Sequence, residues 1–252
     1  MKPRFDRLRM LAGPNGSGKT TLKEMVVREL PPNALGIDLN PDEIENKIRE
    51  SGQLDLRTFG LEPGGVDPAE FLSNHALLIE KGMDESAQLI GSENCVLDFS
   101  RVEVNSYIAS ATVSFVREQL LKQHVSFAIE TVMSSPDKVE LLERAQKAGF
   151  RTYLYYIATK DPGLNVQRVA QRVAQGGHDV PDDKIVSRYS RSLDLLAGAI
   201  SHTNRAYIFD NSGDKPRRIA EITEGRSIHL EVQTGPEWFE TFVLERLNLR
   251  QE

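Results

Sequence analysis

The stretch RLRMLAGPNGSGKTTLKEMV, residues 7–26, decides how the rest of the chain is read. Residues 7–13 are a short apolar-leaning run ending in glycine, the pattern of a strand. From residue 19 onward Leu22, Met25, Val26 and Leu30 recur at the spacing of one helix face. Between the two, Gly13, Gly18, Lys19 and Thr20 stand in the order G-x-x-x-x-G-K-[ST]. That motif, set between a strand and a helix, is a phosphate-holding loop. Its glycines let the backbone turn several N–H groups inward, and the helix that follows adds the positive end of its dipole. Gly13, Asn15, Gly16, Ser17, Gly18, Lys19, Thr20 and Thr21 are therefore the expected nucleotide contacts. Lys19 is expected at the β- and γ-phosphates, and the Thr20 hydroxyl at Mg²⁺.

Working outward, residues 34–39 read as a second strand. Residues 40–50 read as a helix with Asn40 as N-cap, Pro41 at its first position and Glu43 closing a capping box. Residues 51–67 are rich in turn residues and read as a loop or a mobile insertion. Helical patterns cover about 68–90 and 104–123, with 94–100 ambiguous between them. Strands are expected at 125–132, 150–158 and 205–210, and helices at 136–148, 163–175 and 182–200. A hairpin at 217–232 turning near EGR and a closing helix at 235–247 complete the chain. The alternation predicts an α/β fold. The expected arrangement is a P-loop NTPase/kinase-type parallel sheet with helices on both faces, a helical insertion near 51–124, and a C-terminal β-hairpin plus helix. No linker composition interrupts residues 1–252, which predicts a single domain.

Composition limits the partners. The net charge of −6 argues against a broad electrostatic grip on nucleic acid or an anionic membrane. No run approaches the 18 or so apolar residues of a membrane span. Cys95 is the lone cysteine, so no disulfide framework can form, which predicts a reducing, cytoplasmic setting. His75, His124, His178, His202 and His229 show no metal-ligand spacing.

The phosphate loop alone does not say what is done with the phosphate. A GTPase switch needs N-K-x-D downstream of D-x-x-G. Asp210 and Gly213 supply the second pattern, but no N-K-x-D follows, and Asp210 reads as a strand-end residue in a turn. No ABC-type signature is present. A nucleotide-dependent switch acting through a protein partner is the alternative reading. A small-molecule kinase needs a carboxylate for the acceptor hydroxyl and cations around the migrating phosphoryl group. Asp42 follows the second strand, with Asp38 as a competitor. Glu130, beside Thr131, ends the strand at 125–132, on the edge where ligands bind in such sheets. Arg168 and Arg172, four residues apart, share one helix face and make a candidate lid, with Gly176 and Gly177 as its hinge. Lys184, Arg188 and Arg191 extend the basic cluster.

Taken in order, AGPNGSGKTT, NPDEI, SFAIETVMSS, QRVAQRVAQGGHDVP with RYSRSL, and NRAYIFDNS resemble the zeta-toxin family of phosphate-loop kinases from about residue 7 to 212. The resemblance implies an ATP- and Mg²⁺-dependent kinase. It further implies a nucleotide-sugar acceptor such as UDP-N-acetylglucosamine and an antitoxin protein as partner. It assigns Asp42 as the base on the acceptor hydroxyl. It assigns Glu130 to substrate contact, and Lys19, Arg168 and Arg172 to phosphate neutralisation. Thr131, Arg188 and Arg191 are expected as further substrate contacts. The insertion at 51–104 has no counterpart in the family pattern.

Overall fold

The computed structural model describes residues 5–64, 66–177 and 179–251. Gly65 of the turn-rich segment and His178 of GGHDVP lie outside them. The chain begins with β1 (Arg7–Ala12), α1 (Lys19–Glu29), β2 (Ile37–Leu39), α2 (Pro41–Ser51) and β3 (Gln53–Asp55). There follow α3 (Pro68–Ser73), α4 (Ala76–Glu80), α5 (Asp84–Ala87), β4 (Gly91–Glu93), β5 (Val96–Asp98) and α6 (Ser106–Lys122). Next come β6 (Phe127–Thr131), α7 (Asp137–Lys147), β7 (Arg151–Ala158), α8 (Pro162–Ala174), α9 (Asp182–Asp194) and α10 (Leu196–Ser201). The last elements are β8 (Arg205–Asp210), β9 (Arg217–Thr223), β10 (Ser227–Leu230), α11 (Glu237–Phe239) and β11 (Arg250–Gln251).

Two compact units result. One combines the residues up to Leu35 with those from Ala128 onward; the other is Gly36–Phe127. In the first unit the strands run β11-β10-β9-β8-β7-β1-β6. β1 pairs parallel with β7, setting Leu11 opposite Tyr155, and β7 pairs parallel with β8. β9 and β10 close that side as the expected antiparallel hairpin.

The sequence of β7, RTYLYYIA, explains the layering. All but its first and third residues are buried, which requires cover on both faces. Tyr155 and Ile157 point to one face, where they join Leu11, Leu22, Val26 and Phe209 beneath α1. Tyr156 points to the other, where its hydroxyl lies 3.0 Å from Ser192 Oγ on α9. Ser192 in turn donates to the Val132 carbonyl at 2.8 Å, so the phenol is the donor to Ser192.

In the second unit α2 starts as the sequence predicts. Asn40 Oδ1 accepts the Asp42 N–H at 3.0 Å. The capping box differs in detail: Glu43 accepts from the Asn40 side-chain amide rather than from its backbone N–H. Residues 51–64, expected within a loop or mobile insertion, instead hold regular elements and part of the core. β3 pairs with β5, which pairs with β4, and Leu54, Leu56, Phe59 and Leu61 are all buried. The helical pattern at 68–90 breaks into three short helices, the second ended by Gly82 at φ 64°.

Two other expectations change. The helix at 182–200 is interrupted at Leu195, giving α9 and α10. The closing helix is short, and Glu240–Leu244 continues as a π-helical turn. Trp238 and Phe239 of α11 and Val243 of that turn are all buried. Among the described residues no helix is long and apolar enough to cross a membrane.

The Tyr156–Ser192–Val132 chain sets a stability test. Tyr156→Phe should lower the unfolding free energy by about 1 kcal/mol, whereas Ser192→Ala should cost about 1–3 kcal/mol because it strands two buried polar groups. Urea unfolding of both variants checks the order.

Candidate functional site

The phosphate loop lies where β1 ends. The Gly13 N–H donates to the Thr131 carbonyl at 3.2 Å, which fastens the loop's start to the end of β6. Gly16 adopts φ 76°, and a Cβ there would stand 2.5 Å from the Asn165 carbonyl oxygen. Only glycine permits that approach of the loop to α8. Gly18, at φ 98°, is the N-cap of α1 and brings no side-chain cap, and no acid occupies the first turn. The first N–H groups of α1 are thus left for an outside acceptor, with the helix dipole behind them.

Lys19 folds back over this loop and donates from Nζ to the Pro14 carbonyl at 3.1 Å. Its pKa is lowered to about 8, chiefly by burial and further by Arg172, while Glu130 pulls it upward. Arg168 is held by two backbone carbonyls, donating to Asn211 O at 2.8 Å and to Gly213 O at 3.3 Å. Asn211 then donates from Nδ2 to the Ser17 carbonyl at 2.8 Å. A cavity of about 310 Å³ opens among these groups. Gly16, Gly18, Lys19, Thr20 and Thr21 line one side of it, and Glu130, Arg168, Arg172 and Asn211 the other.

The expected residues therefore sort into three sets. Gly16, Gly18, Lys19, Thr20 and Thr21 meet Glu130, Arg168 and Arg172 at one cavity, which Gly13, Asn15 and Ser17 do not line. Thr131 does not line it; its carbonyl anchors Gly13 and its hydroxyl accepts the Met133 N–H at 3.0 Å. Arg188 and Arg191 lie on α9 and are not among the lining residues. Asp42 belongs to the second unit, exposed in the first turn of α2. The glycines after α8 cap that helix: the Gly177 N–H donates to the Arg172 carbonyl at 2.9 Å and the Gly176 N–H to the Val173 carbonyl at 2.9 Å.

Sequence reasoning passed over Asn211 and Asn165. Asn211 directly follows the last parallel strand, at the edge where ligand-facing residues gather, and that position was its only signal. Asn165 is fully buried; its Oδ1 accepts from Thr159, while its Nδ2 has no protein partner. Asp210 is occupied as a turn residue, accepting from Ser212 Oγ at 2.7 Å and from Trp238 Nε1 at 3.3 Å.

Among the described residues no cluster of three or more His, Cys, Asp or Glu could hold a metal ion. Thr20, which lines the same cavity as Glu130, carries a hydroxyl that suits an ion whose other ligands are phosphate oxygens and water, the usual surroundings of Mg²⁺. Ser17 Oγ and Asn15 Oδ1, both in the loop, are buried without a protein partner.

A phosphate loop at the edge of a largely parallel sheet, faced by a helix carrying two arginines, defines the phosphate-loop class of nucleotide-binding folds. Within that class, residues 100–215 match the zeta toxin family model. The resemblance read from the sequence motifs holds over that segment. An uncharacterized protein of Haemophilus influenzae is 32% identical over 69 residues, 27% of this chain and 49% of its own. The chain thus spans about half the length of that relative.

Two solved structures share the fold at low identity. The AvrRxo1-ORF1:ORF2 complex with ATP aligns at 14% identity and a TM-score of 0.52, over 97% of this chain and 64% of that one. The PezAT toxin–antitoxin system of Streptococcus pneumoniae aligns at 13% identity and a TM-score of 0.51, over 98% and 80%.

Two outcomes follow from the geometry. In the free protein the Lys19 amine loses its proton as pH rises through about 8. A bound polyphosphate favours the charged amine, so its affinity should fall as pH rises above that point, by up to about tenfold per unit. Lys19→Arg, charged throughout, should flatten the slope in calorimetric titrations with a nucleoside triphosphate. Asn211→Ala removes the tie to Ser17 and should weaken the same binding by about tenfold, on the order of one lost hydrogen bond.

Proposed function

We propose that this protein is a Mg²⁺- and ATP-dependent kinase. It transfers the γ-phosphoryl group to a hydroxyl of a small molecule, of the nucleotide-sugar class typified by UDP-N-acetylglucosamine. The observation that carries the reading is the convergence of Lys19, Arg168, Arg172 and the start of α1 on one cavity that also holds Glu130. Phosphoryl transfer needs little covalent help from a protein and much charge neutralisation and positioning, which is what this set provides.

In the proposed reaction the loop N–H groups and Lys19 hold the β- and γ-phosphates. Arg168 and Arg172 meet the charge that builds on the phosphoryl oxygens in flight. The Thr20 hydroxyl would hold Mg²⁺, which when bound adds further neutralisation of the phosphates. Asp42 orients the acceptor hydroxyl and takes its proton as the new O–P bond forms and the bond to the β-phosphate oxygen breaks, releasing ADP. Glu130 contacts the acceptor. The resemblance of the NPDEI motif supports the role of Asp42. Glu130 lies within the segment that matches the family model, and the PezAT neighbour supports an antitoxin protein as partner. A cytoplasmic setting fits an ATP-consuming enzyme.

Incubation with ATP, Mg²⁺ and a panel of nucleotide-sugars, followed by phosphorus NMR, should show a new phosphate ester and ADP in equal amounts. ADP with no ester on any acceptor would leave only hydrolysis and reject the kinase. Asp42→Asn should slow transfer by about 10²–10⁴-fold while leaving ATP affinity within about twofold. Undiminished transfer in that variant would remove Asp42 from the base role.

A further inference from the structure

A second group of cations lies at the other edge of the first unit's sheet, where β7 and β8 begin. The eight residues of β7 set it about 23 Å from the edge that carries the phosphate loop. Leu11, Tyr155 and Phe209 share one face of the sheet, so alternation puts Arg7, Arg9, Arg151, Tyr153, Arg205 and Tyr207 on that same face. The register sets Arg7 opposite Arg151, and Arg9 and Arg205 on either side of Tyr153. Like charges opposite one another on neighbouring strands repel, so the arrangement calls for anions. Glu221 answers Arg205, accepting at 2.5 Å. Among the described residues neither Arg9 nor Arg151 has an ion pair. Arg9 lies against the Tyr153 ring and Arg151 against the Phe5 ring, contacts that orient a guanidinium without neutralising it.

A cavity of about 290 Å³ opens beside these charges, at the lower end of the size range of small-ligand sites. Arg151 and Arg205, both exposed, and Tyr153 and Tyr207, both half-buried, line it together with Asn204 and Glu224. Glu224 is exposed, yet it is held in place. It opens the tight turn between β9 and β10 at φ 52°, followed by Gly225 at φ 61°. These are the angles of a primed hairpin turn, which asparagine suits and glutamate does not. The Glu224 N–H donates to the Asn204 carbonyl at 3.0 Å, and Asn204 Nδ2 donates to the Glu224 carboxylate at 3.2 Å. Asn204 is fixed in turn, its Oδ1 accepting the Thr152 N–H at 2.8 Å. The cavity thus combines an unpaired, accessible guanidinium with a fixed, accessible carboxylate.

We propose that this cavity is a second ligand site and binds a singly phosphorylated compound that also carries hydroxyl groups, as a sugar phosphate does. A phosphomonoester brings close to two negative charges, which the guanidiniums of Arg151 and Arg205 meet; a monocarboxylate would bring only one. The ligand's hydroxyls donate to the Glu224 carboxylate. The same carboxylate repels a second phosphate, so di- and triphosphates are left to the loop at Lys19.

Calorimetric titration of the whole chain with ribose 5-phosphate and glucose 6-phosphate, without ATP, tests the assignment. At least one should bind, and more tightly than glucose or inorganic phosphate. Arg151→Ala should weaken that binding by about 10–100-fold, the loss of a charge-assisted hydrogen bond. Glu224→Asn, which suits the turn and so keeps the fold, should bring the sugar phosphate's affinity down to that of inorganic phosphate. Lys19→Ala should leave it within about twofold, because the two sites are far apart, which separates this site from the proposed kinase reaction. The proposal fails if neither sugar phosphate binds, if glucose binds as tightly as its phosphate, or if Lys19→Ala abolishes binding. It fails equally if Arg151→Ala leaves binding unchanged or Glu224→Asn keeps the preference for the sugar phosphate. An oligodeoxythymidylate that binds more tightly than either sugar phosphate, and loses that binding in Arg151→Ala, would replace it with a nucleic-acid surface.

Discussion

Three cationic side chains and a helix N-terminus converge on one small cavity, and keeping these charges there, partly out of water, is the constraint that the surrounding scaffold must hold. The Lys19 amine is driven down chiefly by burial, with Glu130 pulling it upward and Arg172 adding a smaller push down. The protein meets this load largely with carbonyl oxygens. Pro14 receives Lys19, while Asn211 and Gly213 receive Arg168. A carbonyl satisfies a cation's N–H groups without neutralising its charge. Phosphate oxygens can therefore replace these acceptors at little net cost, since the exchange trades one hydrogen bond for a charge-assisted one. A strong ion pair in the same place would compete with the ligand.

The loop is held from several directions, each by an element far away in sequence. Gly13 is tied to the end of β6, Ser17 to the residue after β8, and Gly16 rests on the start of α8. The support extends one step further. Asp210, next to Asn211, accepts the indole N–H of Trp238, which the π-helical turn helps to bury. The C-terminal segment thus braces the strand end that braces the phosphate loop.

What was legible in the sequence was what is local. The strand–loop–helix at 7–29, the cap at Asn40 and the parallel strands rest on spacing within a few residues, and all appear in the structure. Asn211 was invisible because its partner, Ser17, is 194 residues away and nothing periodic marks either one. Leu54 to Leu61 were misread because a three-residue strand and a short 3₁₀ turn look like loop when glycine and proline surround them. Their burial depends on β5 and α6, whose approach no local pattern reports. Arg168 and Arg172 were found by helical spacing, but the docking of their helix through Asn165 and Gly16 was not.

The helices α8 and α9 share a small apolar cluster of their own, Val169, Val180 and Ile185, with Val166 and Val173 partly buried against it. It is distinct from the cluster under α1. Helix α8, whose buried residues are Asn165 and Val169, opens more readily than the central strands do, so its amides should exchange with solvent hydrogen through local opening rather than whole-chain unfolding. An anion held by Arg168 and Arg172 then stabilises that helix selectively, because it binds the closed form and not the open one. Occupancy of the loop would be recorded as slowed exchange in α8, with little change in the strands beneath.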